Sequence, residues 1–183
     1  MPKQRSSHES ALVILVPEAE PIIDRLRQRY DPSAAVGMPA HITINYPFLP
    51  GLPVDAATID QLRGLFSGFS PLRYALVEVR KFFDAVYLAP EPSEPFMELI
   101  RAVIAQYPES PPYGGMFAKI VPHLSLAQSE NAAELEFVLR AFAPGSDGSL
   151  PIEASADRVW LMDNRKGRWE KRHAFHLGPI TPE

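Results

Sequence analysis

Two four-residue blocks constrain this chain more than anything else in it: His41-Ile42-Thr43-Ile44 and, 82 residues later, His123-Leu124-Ser125-Leu126. Each reads histidine, aliphatic, hydroxyl, aliphatic. In an extended strand successive side chains point to opposite faces, so residues two apart share a side. A strand carrying either block therefore shows an imidazole and a hydroxyl on one face and buries two aliphatics on the other. Two such strands in a chain of 183 residues point to a site assembled from paired halves.

The surrounding pattern places both blocks between helices. Ala11 to Val16 reads as a buried strand ended by Pro17, and Pro21 opens a helix with Ile22, Ile23, Leu26 and Tyr30 on one stripe. Asp31-Pro32 stops that helix, and His41 to Phe48 reads as the first histidine strand. Asp55 is placed to cap a helix carrying Ile59, Leu62, Leu65 and Phe66. Leu72–Arg80 and Ala85–Ala89 follow as antiparallel strands. After Ser93 the stripe Phe96, Leu99, Ile100, Val103, Ile104, Tyr107 marks the clearest helix. Pro108 to Gly115 reads as a mobile surface loop, and His123 to Ala127 as the second histidine strand. Asn131 and Glu134 suggest a capping box for a helix through Phe142. Ala143 to Leu150 is turn-rich, and Val159–Asp163 with His173–Leu177 reads as a closing hairpin around Asn164–Gly167. The order strand, helix, histidine strand, helix, strands is thus followed by helix, histidine strand, helix, strands. This predicts an α+β fold of two pseudo-symmetric lobes, with residues 1–10 a loose tail and 11–183 a single bilobal domain.

Composition narrows the function classes. A net charge of −4 argues against a broad electrostatic grip on duplex nucleic acid, while leaving a local basic groove open. The absence of cysteine removes disulfides, zinc ribbons and thiol nucleophiles. The first apolar run is too short for a signal-peptide core or a membrane span. A cytoplasmic monomer with no membrane association is expected. No Gly-x-Ser-x-Gly elbow or Gly-rich phosphate loop supports a serine hydrolase or a nucleoside triphosphatase.

Two histidines suit displacement at phosphorus. One takes a proton from the attacking water or alcohol and the other gives one to the departing oxygen, and an unperturbed imidazole titrates near 6.5. Hydroxyls beside them, here Thr43 and Ser125, are suitable donors to the non-bridging oxygens that gather charge in the transition state. This scheme requires no metal and no cofactor.

The ordered pair Pro39-Ala40-His41-Ile42-Thr43 and Pro122-His123-Leu124-Ser125, each on a strand, resembles the signature of the two-histidine (2H) phosphoesterase superfamily. Within it the chain is similar to the bacterial 2′-5′ RNA ligase-like branch, the RNA 2′,3′-cyclic phosphodiesterases. The resemblance implies two antiparallel sheets lining a central cleft with helices outside. It also implies a metal-independent reaction on 2′,3′-cyclic phosphates of RNA ends or nucleotides, giving 2′-phosphates, with 2′-5′ ligation as its reverse. One of His41 and His123 would act as base and the other as acid, with Thr43 and Ser125 holding the phosphate. The serine of the second block stands where many members have threonine, which keeps the hydroxyl and frees its rotamer.

Other residues are candidates for holding the substrate. Asn45 shares the His41/Thr43 face if the strand stays regular, or makes a strand-end hydrogen bond. Phe82, Phe83 and Tyr87 are candidates for a base-stacking wall, with core packing as the alternative. Arg165, Lys166, Arg168, Lys171 and Arg172, with Trp169 among them, either grip an RNA backbone or form a solvated hairpin tip. His173 and His176, three apart on a strand, face opposite ways and make a poor metal pair. Alternative readings are a phosphoesterase for a small cyclic nucleotide or ADP-ribose-type substrate, and a non-catalytic module binding RNA ends or nucleotides.

Overall fold

The computed structural model of the chain describes residues 9–143, 146 and 149–179. Among these residues, eight antiparallel strands form one sheet, and five helices pack on it. In chain order these are β1 (Ser10–Leu15), α1 (Glu20–Tyr30), α2 (Pro32–Ala35), β2 (His41–Asn45), α3 (Ala56–Ser67), β3 (Leu72–Lys81), β4 (Ala85–Glu91), α4 (Glu94–Gln106), β5 (Leu124–Gln128), α5 (Ala132–Ala141), β6 (Ile152–Ala156), β7 (Arg158–Asp163) and β8 (Glu170–His176). A 3₁₀ turn at Pro112–Gly115 lies between α4 and β5.

The strand order is β6-β3-β4-β5-β2-β1-β7-β8. Two four-stranded lobes therefore meet where β2 pairs with β5, at Ile42 opposite Leu124. Two features of this arrangement differ from the expected one. The sheet runs on across the seam, so the cleft is lined by the two halves of one sheet. The lobes are also interleaved, because the first contains the first two and the last two strands, β1, β2, β7 and β8, and the second contains β3 to β6.

The pseudo-symmetry survives this interleaving and reaches fine detail. Each histidine strand is the innermost strand of its lobe. The helix of one lobe packs under the histidine strand of the other, α1 against β5 and α4 against β2. On β1 and β2, Val13 pairs with Thr43 and Leu12 with Asn45, so Ile44 bulges. On β4 and β5, Tyr87 pairs with Ser125 and Val86 with Ala127, so Leu126 bulges. The fourth residue of each block is thus the bulged one.

The core lies between sheet and helices. Ile42, Ile44, Leu124 and Leu126 are buried in it with Ile14, Leu88, Ile23, Leu99 and Val103. Full burial of each such side chain contributes roughly 1.5–3 kcal/mol. A second, small apolar cluster of Val13, Met38 and Met162 covers the other face of β1, flanked by Leu15, Tyr46, Trp160 and Trp169.

Several expectations are revised here. Strand β6 has no counterpart in the sequence reading, because Ile152, Ala154 and Ala156 give too faint an alternation. Asp31 does end α1, and its carboxylate then caps the short helix α2 by accepting from Ser33 N at 2.9 Å. Asn131 caps α5, yet Glu134 accepts from Ser129 Oγ at 2.6 Å, so the reciprocal capping box does not form. Ser110, inside the expected surface loop, is fully buried. It donates to Pro47 O and accepts from Leu49 N, tying this segment to the end of β2. Glu9 and Ser10, assigned to the tail, belong to the fold: Ser10 pairs with Asp163, and Glu9 N donates to Asn164 Oδ1 at 2.7 Å. The rest of the tail, with His8, lies outside the described residues.

Candidate active site

The seam between the lobes arranges the four block side chains. Ile42 and Leu124 face each other with their side chains in the core. One residue to either side, the same antiparallel register sets His41 opposite Ser125 and Thr43 opposite His123. All four project to the other face, and all four are half-buried. The histidines occupy one diagonal and the hydroxyls the other. Diagonal backbone positions in such a pair lie roughly 7–8 Å apart, a spacing that one tetrahedral phosphate can bridge through two imidazoles.

The two imidazoles are held alike. His41 Nδ1 lies 2.8 Å from Pro39 O and His123 Nδ1 lies 2.7 Å from Val121 O. A carbonyl only accepts, so Nδ1 carries the proton and Nε2 keeps its lone pair in the neutral ring. Each histidine thus offers Nε2 for proton transfer, anchored to the backbone two residues earlier.

Their surroundings differ. Burial, and after it the Arg27 guanidinium, lowers the pKa of His41 from 6.5 to about 4, against the opposing pull of the Pro39 carbonyl and the Asp31 carboxylate. Arg27 is almost wholly buried. Its Nε and Nη2 donate to Asp31 Oδ2 at 3.0 and 2.8 Å, and Nη2 also reaches Met38 O at 3.2 Å. His123 is lowered by burial too, with the Val121 carbonyl opposing. Its ring meets Phe82 and Tyr87 edge-on, at centroid separations of 5.2 and 5.4 Å, and those two rings stack on each other at 4.2 Å.

Of the candidate substrate residues, Tyr87 lies at the site, paired with Ser125 and packed on His123. Phe83 does not: it sits in the β3–β4 turn and is 99% exposed, while its neighbour Phe82 makes the ring contacts. Asn45 is fully buried, and its Nδ2 donates to Ser110 O at 2.9 Å. The bulge at Ile44 puts Asn45 in register with Leu12, a core residue, and takes it off the histidine face.

The basic hairpin is largely neutralised. Asp163 accepts from Arg165 Nε at 2.6 Å and from Arg172 Nη2 at 2.8 Å, and Glu170 accompanies Arg172 and Lys166. Its turn docks on the loop before β2: Trp169 N donates to Val36 O at 2.9 Å. A Cβ on Gly37, whose φ is +91°, would come within 3.1 Å of the Arg168 guanidinium. Lys171 stands apart, with its ammonium 4.7 Å from the Trp160 ring centroid. It lines a cavity of about 430 Å³ beside the start of β2, together with Leu15, Pro39 and Trp160. His173 and His176 are exposed on the outer strand. No cluster of three or more metal-ligating side chains occurs among the described residues.

The sequence reading missed three site residues. Arg27 and Asp31 left a trace in their i, i+4 spacing ahead of Pro32. Tyr113 left one in its setting, Pro111-Pro112-Tyr113-Gly114-Gly115. It has a φ of +53°, its ring packs against Tyr46 and Phe117, and its hydroxyl lies beside Thr43.

Solved structures of the same architecture exist. LigT of E. coli complexed with 3′-AMP matches 94% of this chain and 99% of its own, with a TM-score of 0.60 and 14% identity. A structure described as a phosphoesterase matches 93% and 99%, with a TM-score of 0.60 and 16% identity. TT0787 of Thermus thermophilus matches 94% and 100%, with a TM-score of 0.59 and 15% identity. At these identities the likeness is one of fold. None of the curated proteins matches the sequence. The family model of the 2′-5′ RNA ligase superfamily matches residues 15–168, a span that holds both histidine blocks and most of both lobes. With that match added to the paired histidine strands, the chain belongs to the 2′-5′ RNA ligase superfamily, the two-histidine phosphoesterases.

Proposed function

We propose that this protein is a phosphodiesterase that opens 2′,3′-cyclic phosphates at RNA ends or on nucleotides, leaving a 2′-phosphate. The observation that carries this reading is the diagonal set by the Ile42–Leu124 pair, with two imidazoles on one diagonal and two hydroxyls on the other.

His41 is the base. Burial, and after it the Arg27 guanidinium beside it, disfavours the imidazolium, so the ring waits with Nε2 free. A water gives its proton to that nitrogen while its oxygen attacks phosphorus. The P–O3′ bond breaks, and His123, protonated at Nε2 between Phe82 and Tyr87, gives that proton to O3′. Thr43 and Ser125 donate to the non-bridging oxygens as negative charge builds on them. With the 5′-hydroxyl of another strand in place of water, the same proton transfers form a 2′-5′ linkage. All proton transfer and charge stabilisation come from side chains of the chain itself, so turnover in excess chelator is expected.

The test is hydrolysis of adenosine 2′,3′-cyclic phosphate with chelator present, with the product isomer assigned by phosphorus NMR. A 2′-phosphate product, lost in both His41→Ala and His123→Ala, supports the reading. Turnover that persists in either variant, or a 3′-phosphate product, contradicts it.

A further inference from the structure

The cavity at the start of β2 lies on the catalytic face. Val13 pairs with Thr43 on one side and with Trp160 on the other, and Leu15 pairs with His41. Directly paired residues share a face of the sheet, so Trp160 and Leu15 project on the same side as the histidines. Two strand spacings separate β2 from β7, about 10 Å in all. The cavity is therefore a neighbour of the phosphate position on one continuous floor.

Its chemistry is specific. The walls are mostly apolar, from Leu15, Pro17, Pro39 and Trp160, and about 430 Å³ falls in the range of small-ligand sites. Both carboxylates in the lining are engaged: Glu20 accepts from Ala40 N at 2.6 Å, and Asp157 is bonded twice by Arg158 at 2.7 Å. Lys171 is different, since no carboxylate partners it among the described residues and its ammonium rests over the Trp160 ring. Apolar walls with one uncompensated cation suit a flat heterocycle that carries a phosphate. Of the neighbouring hairpin arginines, Arg165 and Arg172 are spent on Asp163 and Glu170 and Arg168 lies against Gly37, outside the cavity lining. Among the described residues, Lys171 is therefore the one uncompensated cation the cavity itself offers.

We infer that this cavity is a second nucleotide subsite, in which the Trp160 wall takes the base and Lys171 the phosphate of the residue adjoining the cyclic phosphate. The substrate is then dinucleotide-sized, and further RNA adds nothing to recognition. This rests on the reaction proposed above and narrows its substrate.

The experiment compares adenosine 2′,3′-cyclic phosphate with a diadenosine and a decaadenosine that end in the same cyclic phosphate. Stacking of one base on an aromatic ring, with its phosphate paired, raises kcat/KM about tenfold from mononucleotide to dinucleotide. No further rise is expected for the decamer. In Lys171→Gln and in Trp160→Leu the dinucleotide-to-mononucleotide ratio falls to near one, and in Trp160→Phe, which keeps a ring, it largely returns. A ratio unchanged in Lys171→Gln and Trp160→Leu overturns the inference, as does a gain that continues to the decamer. A binding measurement separates this from failure of the reaction. The chain has two tryptophans, so in Trp169→Phe the emission reports Trp160 alone. Quenching by the dinucleotide ApAp at concentrations where AMP has no effect, abolished by Lys171→Gln, supports the subsite even if no cyclic phosphate turns over. Absence of quenching overturns it.

Discussion

Ile42 and Leu124 face each other across the only strand pairing that joins the two lobes among the described residues. Both side chains are fully buried, so the contact that aligns the histidine face is made on the opposite, apolar face. Position in the core thereby sets position in the site.

Shortening Leu124 should damage stability and catalysis together. Leu124→Ala removes a buried side chain at the seam, and such changes cost about 2–5 kcal/mol. Urea unfolding should show that loss, with a fall in kcat larger than the rise in KM. Phe83→Ala, in the exposed turn, should leave the unfolding midpoint unchanged.

The ion pair beneath His41 gives an asymmetric result. Asp31→Ala leaves the Arg27 guanidinium buried without its carboxylate, a loss of about 3–5 kcal/mol by denaturant unfolding. Replacing both members by Arg27→Met with Asp31→Leu should cost less than the single change. The double variant should also move the acid limb of the kcat/KM profile upward, because Arg27 lowers the His41 pKa more than Asp31 raises it.

Acid sensitivity follows from the lowered histidines. An unfolded histidine binds its proton below about pH 6.5, whereas folded His41 holds off until about 4. Between those values the unfolded state carries more protons, so stability falls as pH falls through the window and levels off below it. His123 acts in the same direction. Unfolding curves at about pH 7 and about pH 4.5 should differ more in the native protein than in His41→Asn. Activity should follow a bell in kcat/KM, rising as pH climbs through about 4 with the base and falling again as pH climbs further through the pKa of the acid His123, which burial holds below its ordinary value.

The hydroxyls should matter by chemistry more than by shape. Thr43→Val and Ser125→Ala each remove a donor to the charged oxygens, a loss of about 10²-fold or more in kcat. Ser125→Thr keeps the donor and should retain activity within a few fold.

The histidine strands were legible because a period of two is a local property: His41 and Thr43 share a face whatever surrounds them. The helices of the stripe type, such as that of Phe96, Leu99 and Val103, were legible for the same reason. Non-local pairing was not. Nothing in the string announces that β7 and β8 return to the lobe of β1, or that the β2–β5 contact fuses two sheets into one. The bulge at Ile44 has no sequence mark, and it alone turned Asn45 from a cleft residue into a core one. Phe82 and Phe83 are adjacent and identical, so only the phase of the β3–β4 turn decides which of them reaches His123. Arg27 was hidden by its charge, since a buried guanidinium is recognisable only with its partners Asp31 and Met38 in view.

The convergence of two imidazoles on one phosphate is tested most directly by titrating the protein, labelled with nitrogen-15 at histidine, with inorganic phosphate. The expected result is that Nε2 of His41 and Nε2 of His123 shift together along one saturating curve with a single Kd. Both shifts should vanish when either histidine is replaced by alanine. Movement of only one of the two signals, or two independent curves, would show that the histidines do not share a phosphate.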